Sequence, residues 1–390
     1  MPEAYIVSAR RTAAGRRNGR LAGWHPADLG AVVLNALIAE SGVDPAAIDD
    51  VIIGCVSQVG EQTFALGRNV VLASHLPDSV PAVTIDRQCG SSQQALHFAA
   101  QAVMSGTQDL VIAGGVESMT RVPMGSPLML ARAAGVGEGP FAKSIQDRYG
   151  VPEFSQFVGA QMIADKYEFT REAMDRFALE SHLKAAAATE AGAFADEIVP
   201  LEVVTPDGPI IHDRDEGVRA NSTIESISAV KLLTETGTLS AATASQIADG
   251  ASGVLVASER AVTDHGLTPI ARIVNLTVTA GDPVIMLEEP IPATRRALAR
   301  SGLKLDDIDL FEVNEAFASI PMAWQKALGA DPGKLNVNGG AIALGHPLGA
   351  TGTKLMATLI HALHARGQRY GLQTMCEGGG ISNATIVERL

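Results

Sequence analysis

The chain has 390 residues, of which 46% are hydrophobic and 19% are charged, so we expect a folded protein of two or more domains rather than a disordered one. Its formal net charge of −13 argues against a general nucleic-acid-binding protein, because binding to phosphates depends on basic surface. No apolar run approaches the ~20 residues of a membrane-spanning helix, the start lacks the layout of a signal peptide, and three cysteines suit a reducing compartment, so a soluble cytoplasmic protein is predicted.

Short β-branched runs alternate with longer helical stretches along the chain. Residues 1–7 are predicted to form an edge strand, and further strands are predicted at 51–53, 80–85 and 110–113. A helix with small residues at helical spacing follows at 93–104. This alternation predicts an α/β fold in which mostly parallel sheets are covered by helices.

A four-part pattern of a helix, a Ser-Gly pair, an Ile-Asp pair and a strand occurs twice, 260 residues apart. The first copy contains Ser41-Gly42 and Ile48-Asp49, and the second contains Ser301-Gly302 and Ile308-Asp309. Because the whole order is repeated, the sequence predicts two related α/β halves. The predicted halves are residues 1–118 together with 248–270, and residues 271–390.

Residues 119–247 differ in character from both predicted halves. Gly and Pro punctuate the first part, a helical hairpin is predicted at 171–191, and a charged run follows at 213–216. Acidic residues outnumber basic ones in this segment. An insertion of this size often covers an active site, although a solvent-exposed decoration fits the same pattern.

Cys89 is the first candidate for chemistry. It lies between the predicted strand at 80–85 and the predicted helix at 93–104, next to Gly90. A thiol beside a helix N-terminus is expected to have a lowered pKa, and the free N–H groups there can bind an oxyanion. A buried structural cysteine is the alternative, and we adopt that interpretation for Cys55, which follows a predicted strand.

A glycine-rich segment surrounds His346, with Pro347 directly after it and five glycines between positions 339 and 352. Such a segment holds the imidazole in place, which favours a catalytic base or an oxyanion donor. A histidine of the core is the alternative. A dinucleotide-binding loop is not expected, because the Gly-x-Gly-x-x-Gly spacing is absent.

Two further motifs follow predicted strands. Cys376 precedes three consecutive glycines at 378–380, which leave N–H groups free to bind an anion but also suit a hairpin turn. Asn314 follows the strand of the second copy, where polar groups face a ligand crevice, and it would also serve as an ordinary helix N-cap. Zinc binding is not expected, because the Cys and His spacings match no ligand pattern.

Together these motifs resemble those of the thiolase family, which comprises acetyl-CoA acetyltransferases and 3-ketoacyl-CoA thiolases. The resemblance rests on Cys89-Gly90-Ser91, on Asn314-Glu315-Ala316-Phe317, on 339–347 and on 376–380, and it extends over the whole chain. It implies a thiolase fold, with duplicated α/β halves in a layered α-β-α-β-α core. It also implies that 119–247 is a loop domain that binds coenzyme A.

The resemblance further implies a role for each motif. Cys89 would attack the ketone of a 3-ketoacyl-CoA and become acylated, with His346 taking the thiol proton. Cys376 would protonate the departing acetyl-CoA carbanion. His346 and a water held by Asn314 would form one oxyanion hole, and the N–H groups of Cys89 and Gly378 would form the second.

Coenzyme A is a substrate under this resemblance, and no metal or redox cofactor is implied. The candidate contacts with coenzyme A are Arg219, Ala241, Ser245 and Met286, the last on the pantetheine side. The family also implies a homodimer or a homotetramer that acts on coenzyme A thioesters, with neither nucleic acid nor membrane as a partner.

Phe157, Glu377 and Glu288-Glu289 depart from the family pattern. The residues around the two cysteines look most similar to degradative thiolases of actinobacteria, including those of steroid breakdown. We therefore expect a 3-ketoacyl-CoA that is larger or more polar than acetoacetyl-CoA. The alternatives are a biosynthetic acetoacetyl-CoA thiolase, a decarboxylating ketosynthase, which would lack Cys376, and a catalytically silent scaffold.

Overall fold

The computed structural model describes residues 2–205 and 208–390. The strands are β1 (Ala4–Thr12), β2 (Gly15–Arg16), β3 (Asp50–Gly54), β4 (Ala82–Ile85), β5 (Leu110–Ser118), β6 (Ile198–Val199), β7 (Leu201–Thr205), β8 (Gly208–His212), β9 (Ala248–Ser258), β10 (Ala271–Ala280), β11 (Leu310–Val313), β12 (Tyr370–Glu377) and β13 (Ile381–Arg389). The helices are α1 (Pro26–Ser41), α2 (Leu66–Ala73), α3 (Ser91–Met104), α4 (Ser126–Ala133), α5 (Lys143–Tyr149), α6 (Gln156–Lys166), α7 (Arg171–Glu190), α8 (Ile224–Ser228), α9 (Glu259–Asp264), α10 (Pro290–Ser301), α11 (Ser319–Leu328), α12 (Ala341–Leu344) and α13 (Thr351–Arg366).

The long strands form a continuous mixed sheet in the order β11-β12-β13-β10-β1-β9-β5-β3-β4. Only β3 with β4, β3 with β5, and β11 with β12 pair in parallel along this path, so the expectation of mostly parallel sheets is wrong. The reason is that β9 and β13 each return through the middle of their half and pair antiparallel on both sides. The strand at the start of the chain is also not an edge strand, because β1 lies between β9 and β10.

The two copies of the repeated pattern have the same local geometry. Gly42 and Gly302 end α1 and α10 in the left-handed conformation, with φ of +67° and +73°, which a glycine adopts without the strain that a Cβ would add. Asp49 then accepts hydrogen bonds from the amides of Asp109 and Leu110 at the start of β5, at 2.7 and 3.0 Å. Asp309 does the same for the amides of Arg369 and Tyr370 at β12, at 2.8 and 2.9 Å. In each copy an aspartate therefore fixes the register of two parallel strands.

Helices cover the strands in layers. The pair α1 and α2 packs on one face of the first half, α10 and α11 pack on the outer face of the second half, and α3 and α13 lie between the halves. The first turns of these two central helices touch through their backbones, since a side chain on Gly352 would collide with the amide nitrogen of Gln93. The beginnings of α3 and α13 therefore meet at the centre of the molecule.

The inserted segment lies between the end of β5 at Ser118 and the start of β9 at Ala248. The helical hairpin predicted at 171–191 is wrong, because this stretch forms the single helix α7, which follows α6 in the chain. The insertion is joined to the core by the fully buried Arg11 of β1, which forms ion pairs with Glu197 at 2.6 Å and with Asp215 at 2.8 Å. None of the described helices combines the length and the apolar character that crossing a bilayer requires.

Candidate active site

Cys89 lies at the turn between β4 and α3. The preceding residue, Gln88, has φ of +48°, and the following residue, Gly90, is the N-cap of α3. This backbone turns the Cys89 side chain into a small apolar cluster with Met119, Leu348 and Met375, and only 9% of the residue is exposed. The structure therefore confirms the predicted position of the thiol beside a helix N-terminus.

The lowered pKa predicted for this thiol is wrong. Burial raises the pKa of Cys89 to about 12, and the negative charge of Glu377 contributes in the same direction. The loss of water around sulfur and a nearby carboxylate outweigh the stabilisation that a helix terminus gives to a thiolate. The resting thiol is therefore protonated, and attack on a carbonyl requires a base within the site.

His346 is a buried neutral base. Its Nδ1 lies 2.6 Å from Thr351 Oγ1, whose own proton is donated to the Pro347 carbonyl at 2.9 Å, so Thr351 accepts the Nδ1 proton and Nε2 keeps a free lone pair. Burial, together with the positive charge of Lys354, lowers the pKa of His346 to about 3. The ring is oriented further by its backbone N–H, which donates to the Gln246 carbonyl at 3.0 Å.

Asn314 faces the reactive side of this imidazole. Its Nδ2 lies 3.5 Å from His346 Nε2, and its backbone N–H donates to the Thr374 carbonyl at 3.1 Å where β11 ends. The other side-chain atom, Oδ1, is buried and has no hydrogen-bond partner among the described residues. A buried acceptor without a partner costs ~1–3 kcal/mol, so an additional donor such as a water molecule is expected beside it. This geometry is compatible with the role that the family resemblance implies for Asn314.

Cys376 is close to Cys89 and is completely buried. Its neighbours on both sides contact the nucleophile segment, since Met375 packs in the apolar cluster of Cys89 and Glu377 lies against Gly90. Burial raises the pKa of Cys376 well above the usual value, and the charge of Cys89 raises it further. The turn after β12 begins at Gly378, where an added Cβ would lie 2.9 Å from the side-chain oxygen of Gln88. Gly378 therefore lies against the residue that precedes Cys89, which places the two N–H groups of the implied second oxyanion hole on neighbouring segments.

A cavity of about 600 Å³ opens between α7, α8 and the segment around Arg219. Arg219 lines it, while Ala242 rather than Ala241 contributes the alanine of the 3₁₀ turn at 241–243. Burial, with the Arg219 charge as a second cause, lowers the pKa of His182 in this cavity to about 4, so that histidine is neutral. Of the four coenzyme A contacts expected from sequence, Arg219 alone lines this cavity.

The segment 241–247 connects this cavity to the imidazole. The N–H of Ser245 donates to the Ala316 carbonyl at 2.9 Å, and the Gln246 carbonyl accepts from His346. Ile247, next in the chain, packs against the apolar cluster of Cys89. Ser245 is thus placed beside the Asn314 motif, between the cavity and the cysteine.

Met286 lies on another side of the site. It is buried, has φ of +58°, and belongs to the same apolar cluster as Cys376 and Phe317. Phe157 packs edge-to-face on Phe317 at 5.6 Å and stays 41% exposed. These residues form an apolar wall beside Cys376. Glu288 lies outside it and bonds with Lys166 and Tyr167, both at 2.7 Å.

Three residues that hold the site together were not predicted from sequence. Thr351 orients the imidazole through Nδ1. Lys354 Nζ donates to the carbonyls of Leu344 and Gly345 at 2.6 and 3.0 Å and so fixes the loop that leads to His346. The Glu315 carboxylate accepts from Ser181 at 2.6 Å and from Asn336 at 2.9 Å. A signal existed for Lys354, which is a lone charged residue three positions after Thr351 in an otherwise uncharged helix start.

Comparison with known proteins agrees with this arrangement. The family models described as "Thiolase, N-terminal domain" and "Thiolase, C-terminal domain" match residues 4–260 and 267–389. The chain is 54% identical to the steroid 3-ketoacyl-CoA thiolase FadA6 of Mycobacterium tuberculosis, over 100% of this chain and 95% of that protein. It is 42% identical to the acetyl-CoA acetyltransferase of Escherichia coli, over the full length of both.

The fold agrees as well. The crystal structure of human mitochondrial 3-ketoacyl-CoA thiolase superposes with a TM-score of 0.89 at 36% identity, and the match covers 100% of this chain and 99% of that one. The predicted thiolase fold and the resemblance stated from sequence are therefore confirmed. The chain belongs to the thiolase family of acyltransferases.

Proposed function

We propose that the protein cleaves a 3-ketoacyl-CoA with coenzyme A, giving acetyl-CoA and a shortened acyl-CoA through an acyl thioester on Cys89. This proposal is supported by two neighbouring thiols that are buried and protonated, together with a buried neutral imidazole whose Nε2 carries no proton and faces Asn314. Two acid–base groups and one nucleophile are what a carbon–carbon cleavage by acyl transfer needs.

In the first half-reaction, His346 Nε2 takes the proton of the Cys89 thiol as sulfur attacks the ketone carbon. The bond between the ketone carbon and the α-carbon then breaks, and its electron pair goes to acetyl-CoA as a carbanion. Cys376 donates its proton to that carbon and becomes a thiolate. The imidazolium and a water on Asn314 Oδ1 stabilise the oxyanion during attack.

In the second half-reaction, the Cys376 thiolate takes the proton of incoming coenzyme A. The coenzyme A sulfur attacks the acyl group, and Cys89 leaves and recovers its proton from His346. All protons of the protein are then back in their starting positions. Because no electrons are transferred, the proposed cycle uses thiols and an imidazole alone, with coenzyme A as a substrate and without a metal or redox cofactor.

We place coenzyme A in the cavity of about 600 Å³ beside Arg219, with its thiol end reaching along 241–247 to Cys89. The chain is acidic overall, so Arg219 supplies a local positive charge for a phosphate. The acyl group then lies against the apolar wall of Met286, Phe157 and Phe317.

For the acyl group we propose a 3-ketoacyl-CoA larger than acetoacetyl-CoA, such as one derived from a steroid. The 54% identity to a steroid 3-ketoacyl-CoA thiolase supports this choice, as does an apolar wall in which Phe157 is partly exposed to solvent. The second candidate is an acetoacetyl-CoA thiolase, which the 42% identity to an acetyl-CoA acetyltransferase favours.

The deciding experiment compares thiolysis of acetoacetyl-CoA, a long straight-chain 3-ketoacyl-CoA and a ring-bearing 3-ketoacyl-CoA. The rate is measured from the loss of the ultraviolet absorbance of the magnesium enolate. We expect the highest kcat/KM with one of the larger substrates and no turnover by Cys89→Ala. A preference for acetoacetyl-CoA would overturn the substrate proposal. Turnover of a malonyl thioester instead would indicate a decarboxylating ketosynthase.

We also propose that the protein is a homodimer or homotetramer that works in the cytoplasm. Support for self-association comes from β4, which ends the sheet and carries the partly exposed Val83, and from Phe64 before α2, which is 88% exposed. An exposed apolar edge strand of this kind favours pairing with another chain. Sedimentation equilibrium gives the mass in solution, and a monomer would contradict the proposal.

A further inference from the structure

Glu377 is a buried carboxyl group that the proposed reaction does not use. It is the last residue of β12, directly after Cys376, and its exposure is 0%. Oε1 accepts the backbone N–H of Asn383 at 2.9 Å. Oε2 is equally buried and has no hydrogen-bond partner among the described residues. An unpaired carboxyl oxygen in the interior is costly, which calls for an explanation.

The carboxyl group lies against the backbone of the nucleophile segment. A Cβ on Gly90, the residue after Cys89, would collide with Glu377 Oε1 and would lie 3.0 Å from Glu377 Cγ. Gly90 is also the N-cap of the 14-residue helix α3. The partial positive charge of that helix end partly offsets the cost of burying the carboxylate.

The charged and titratable groups near Glu377 include Arg87 and the thiols of Cys89 and Cys376. Arg87 from the loop before Cys89 favours the carboxylate, whereas burial dominates and raises the pKa of Glu377 to about 8. The two thiols are on the other sides, and the carboxylate raises the pKa of both Cys89 and Cys376. Glu117 and Asp86 act on the pKa of Cys89 in the same direction but as smaller causes.

The polar groups behind Glu377 carry no charge. Asn383, which donates to it, contacts His97 at 3.1 Å and Gln94 at 3.0 Å through its side-chain amide. Burial lowers the pKa of His97 to about 3, so this histidine is neutral. Once Glu377 ionises, its carboxylate is the largest single negative charge that acts on the Cys89 thiol.

We propose that Glu377 is a positioning residue for protons: whenever it is ionised, its carboxylate opposes the ionisation of both catalytic thiols until a substrate carbonyl is in place. A free thiolate would put a second negative charge beside the first in a buried site, and this is unfavourable. Proton transfer from Cys89 to His346 creates no additional net charge, so ionisation is allowed only as part of the attack. The same repulsion makes the Cys376 thiolate, once formed, a strong base for the second half-reaction.

This inference rests on the proposed reaction for its purpose but can be tested without turnover. The measurement is the rate of alkylation of Cys89 by iodoacetamide between pH 6 and pH 10, with the Cys89 peptide quantified by mass spectrometry. Glu377→Gln removes the charge and keeps an acceptor for Asn383. Asp86→Asn is the matched control, since it removes a carboxylate with a smaller effect on the same thiol.

We expect Glu377→Gln to move the alkylation profile to lower pH and to raise the rate at pH 9 about tenfold if the pKa of the thiol falls by one. The change in Asp86→Asn should be smaller. An unchanged profile in folded Glu377→Gln, or a profile at higher pH, would overturn the proposal. If thiolysis is absent but the profile moves to lower pH, the proposed function fails while the control of the thiols stands.

The wild-type profile gives a second test that needs no folded variant. Because the carboxyl group and the thiols interact, the alkylation rate of wild-type Cys89 should rise in two steps with a shallower part between them. A single ionisation over the whole pH range would contradict the proposal even if Glu377→Gln and Glu377→Ala failed to fold.

Discussion

Thr351 Oγ1 lies 2.6 Å from His346 Nδ1 and fixes which imidazole nitrogen can act as a base. Thr351 is the first residue of α13, and its hydroxyl proton is committed to the Pro347 carbonyl, so the hydroxyl oxygen can only accept from the ring. The first residue of α13 therefore determines the tautomer of the His346 imidazole, five residues earlier in the chain. The base on Nε2 points toward Asn314.

Replacing Thr351 by valine should lower kcat while leaving the fold intact. Valine has the shape of threonine without the hydroxyl, so the ring loses its orientation and its fixed tautomer. A buried hydrogen bond of this kind contributes ~1–3 kcal/mol, which corresponds to a roughly tenfold to hundredfold lower kcat/KM for thiolysis. Thr353→Val is the control, because Thr353 bonds with Ser252 and not with the imidazole. Equal losses in both variants would show that the helix and not the tautomer is responsible.

Position 90 should require glycine, because the side chain of Glu377 occupies the space that a Cβ at this position would need. Gly90 has φ of −86°, which any residue adopts, so the collision with Glu377 is what Gly90→Ala introduces. We expect destabilisation of ~1–3 kcal/mol from overpacking, measured by urea unfolding. The double variant Gly90→Ala/Glu377→Ala should recover part of that loss, whereas additive losses would contradict the contact. Gly23→Ala has open space around it and should be nearly neutral.

The stability of the protein should depend on pH through Glu377. Burial raises the pKa of this carboxyl group to about 8 from a usual value of 4.5, so the native state favours the protonated form. The contribution of Glu377 to the stability of the native state is therefore complete below pH 4.5. It is lost as the pH rises to 8, when the buried group ionises. Glu377→Gln removes this cost, and its stability relative to wild type should increase between pH 5 and pH 9 by up to ~4 kcal/mol.

Urea unfolding of both proteins at pH 5, 7 and 9 measures this difference. The other buried titratable groups, among them His346 and His97, are common to both proteins and cancel in the comparison. A difference that does not change with pH would mean that Glu377 titrates as an ordinary carboxyl group.

Arg11 should be the strongest single connection between the inserted segment and the core. Arg11→Met leaves the buried carboxylates of Asp215 and Glu197 without their cation, and breaking a buried pair in this way costs ~3–5 kcal/mol. Arg260→Met removes an exposed partner of Asp109 and should change stability by less than ~1 kcal/mol. Thermal unfolding of the two variants makes the comparison, and similar midpoints would contradict it.

The motifs that carry chemistry could be predicted because each is local in sequence. Cys89 beside a helix start, His346 among glycines and Cys376 before a glycine turn are all placed by short-range backbone rules, and the structure has them as expected. The duplicated pattern could be recognised for the same reason, since Gly42 and Gly302 mark helix ends within a few residues of the next strand.

Strand direction was not predictable in this way. The runs that form β9 and β13 have the same residue pattern as a parallel strand, and only their pairing between other strands makes them antiparallel. A break within residues 171–191 was likewise expected, yet buried residues along the length of α7 keep this stretch as one helix.

By itself, the sequence determined the family of this protein and predicted its nucleophile, its base and its second thiol, because these depend on residue types at fixed short spacings. Only the tertiary structure decided how those groups ionise. Burial and Glu377 raise the pKa of Cys89, whereas its helix N-terminus alone predicts the reverse. Segments distant in the chain exclude water from the thiol and bring a carboxylate to it, and the loss of hydration outweighs the local helix dipole.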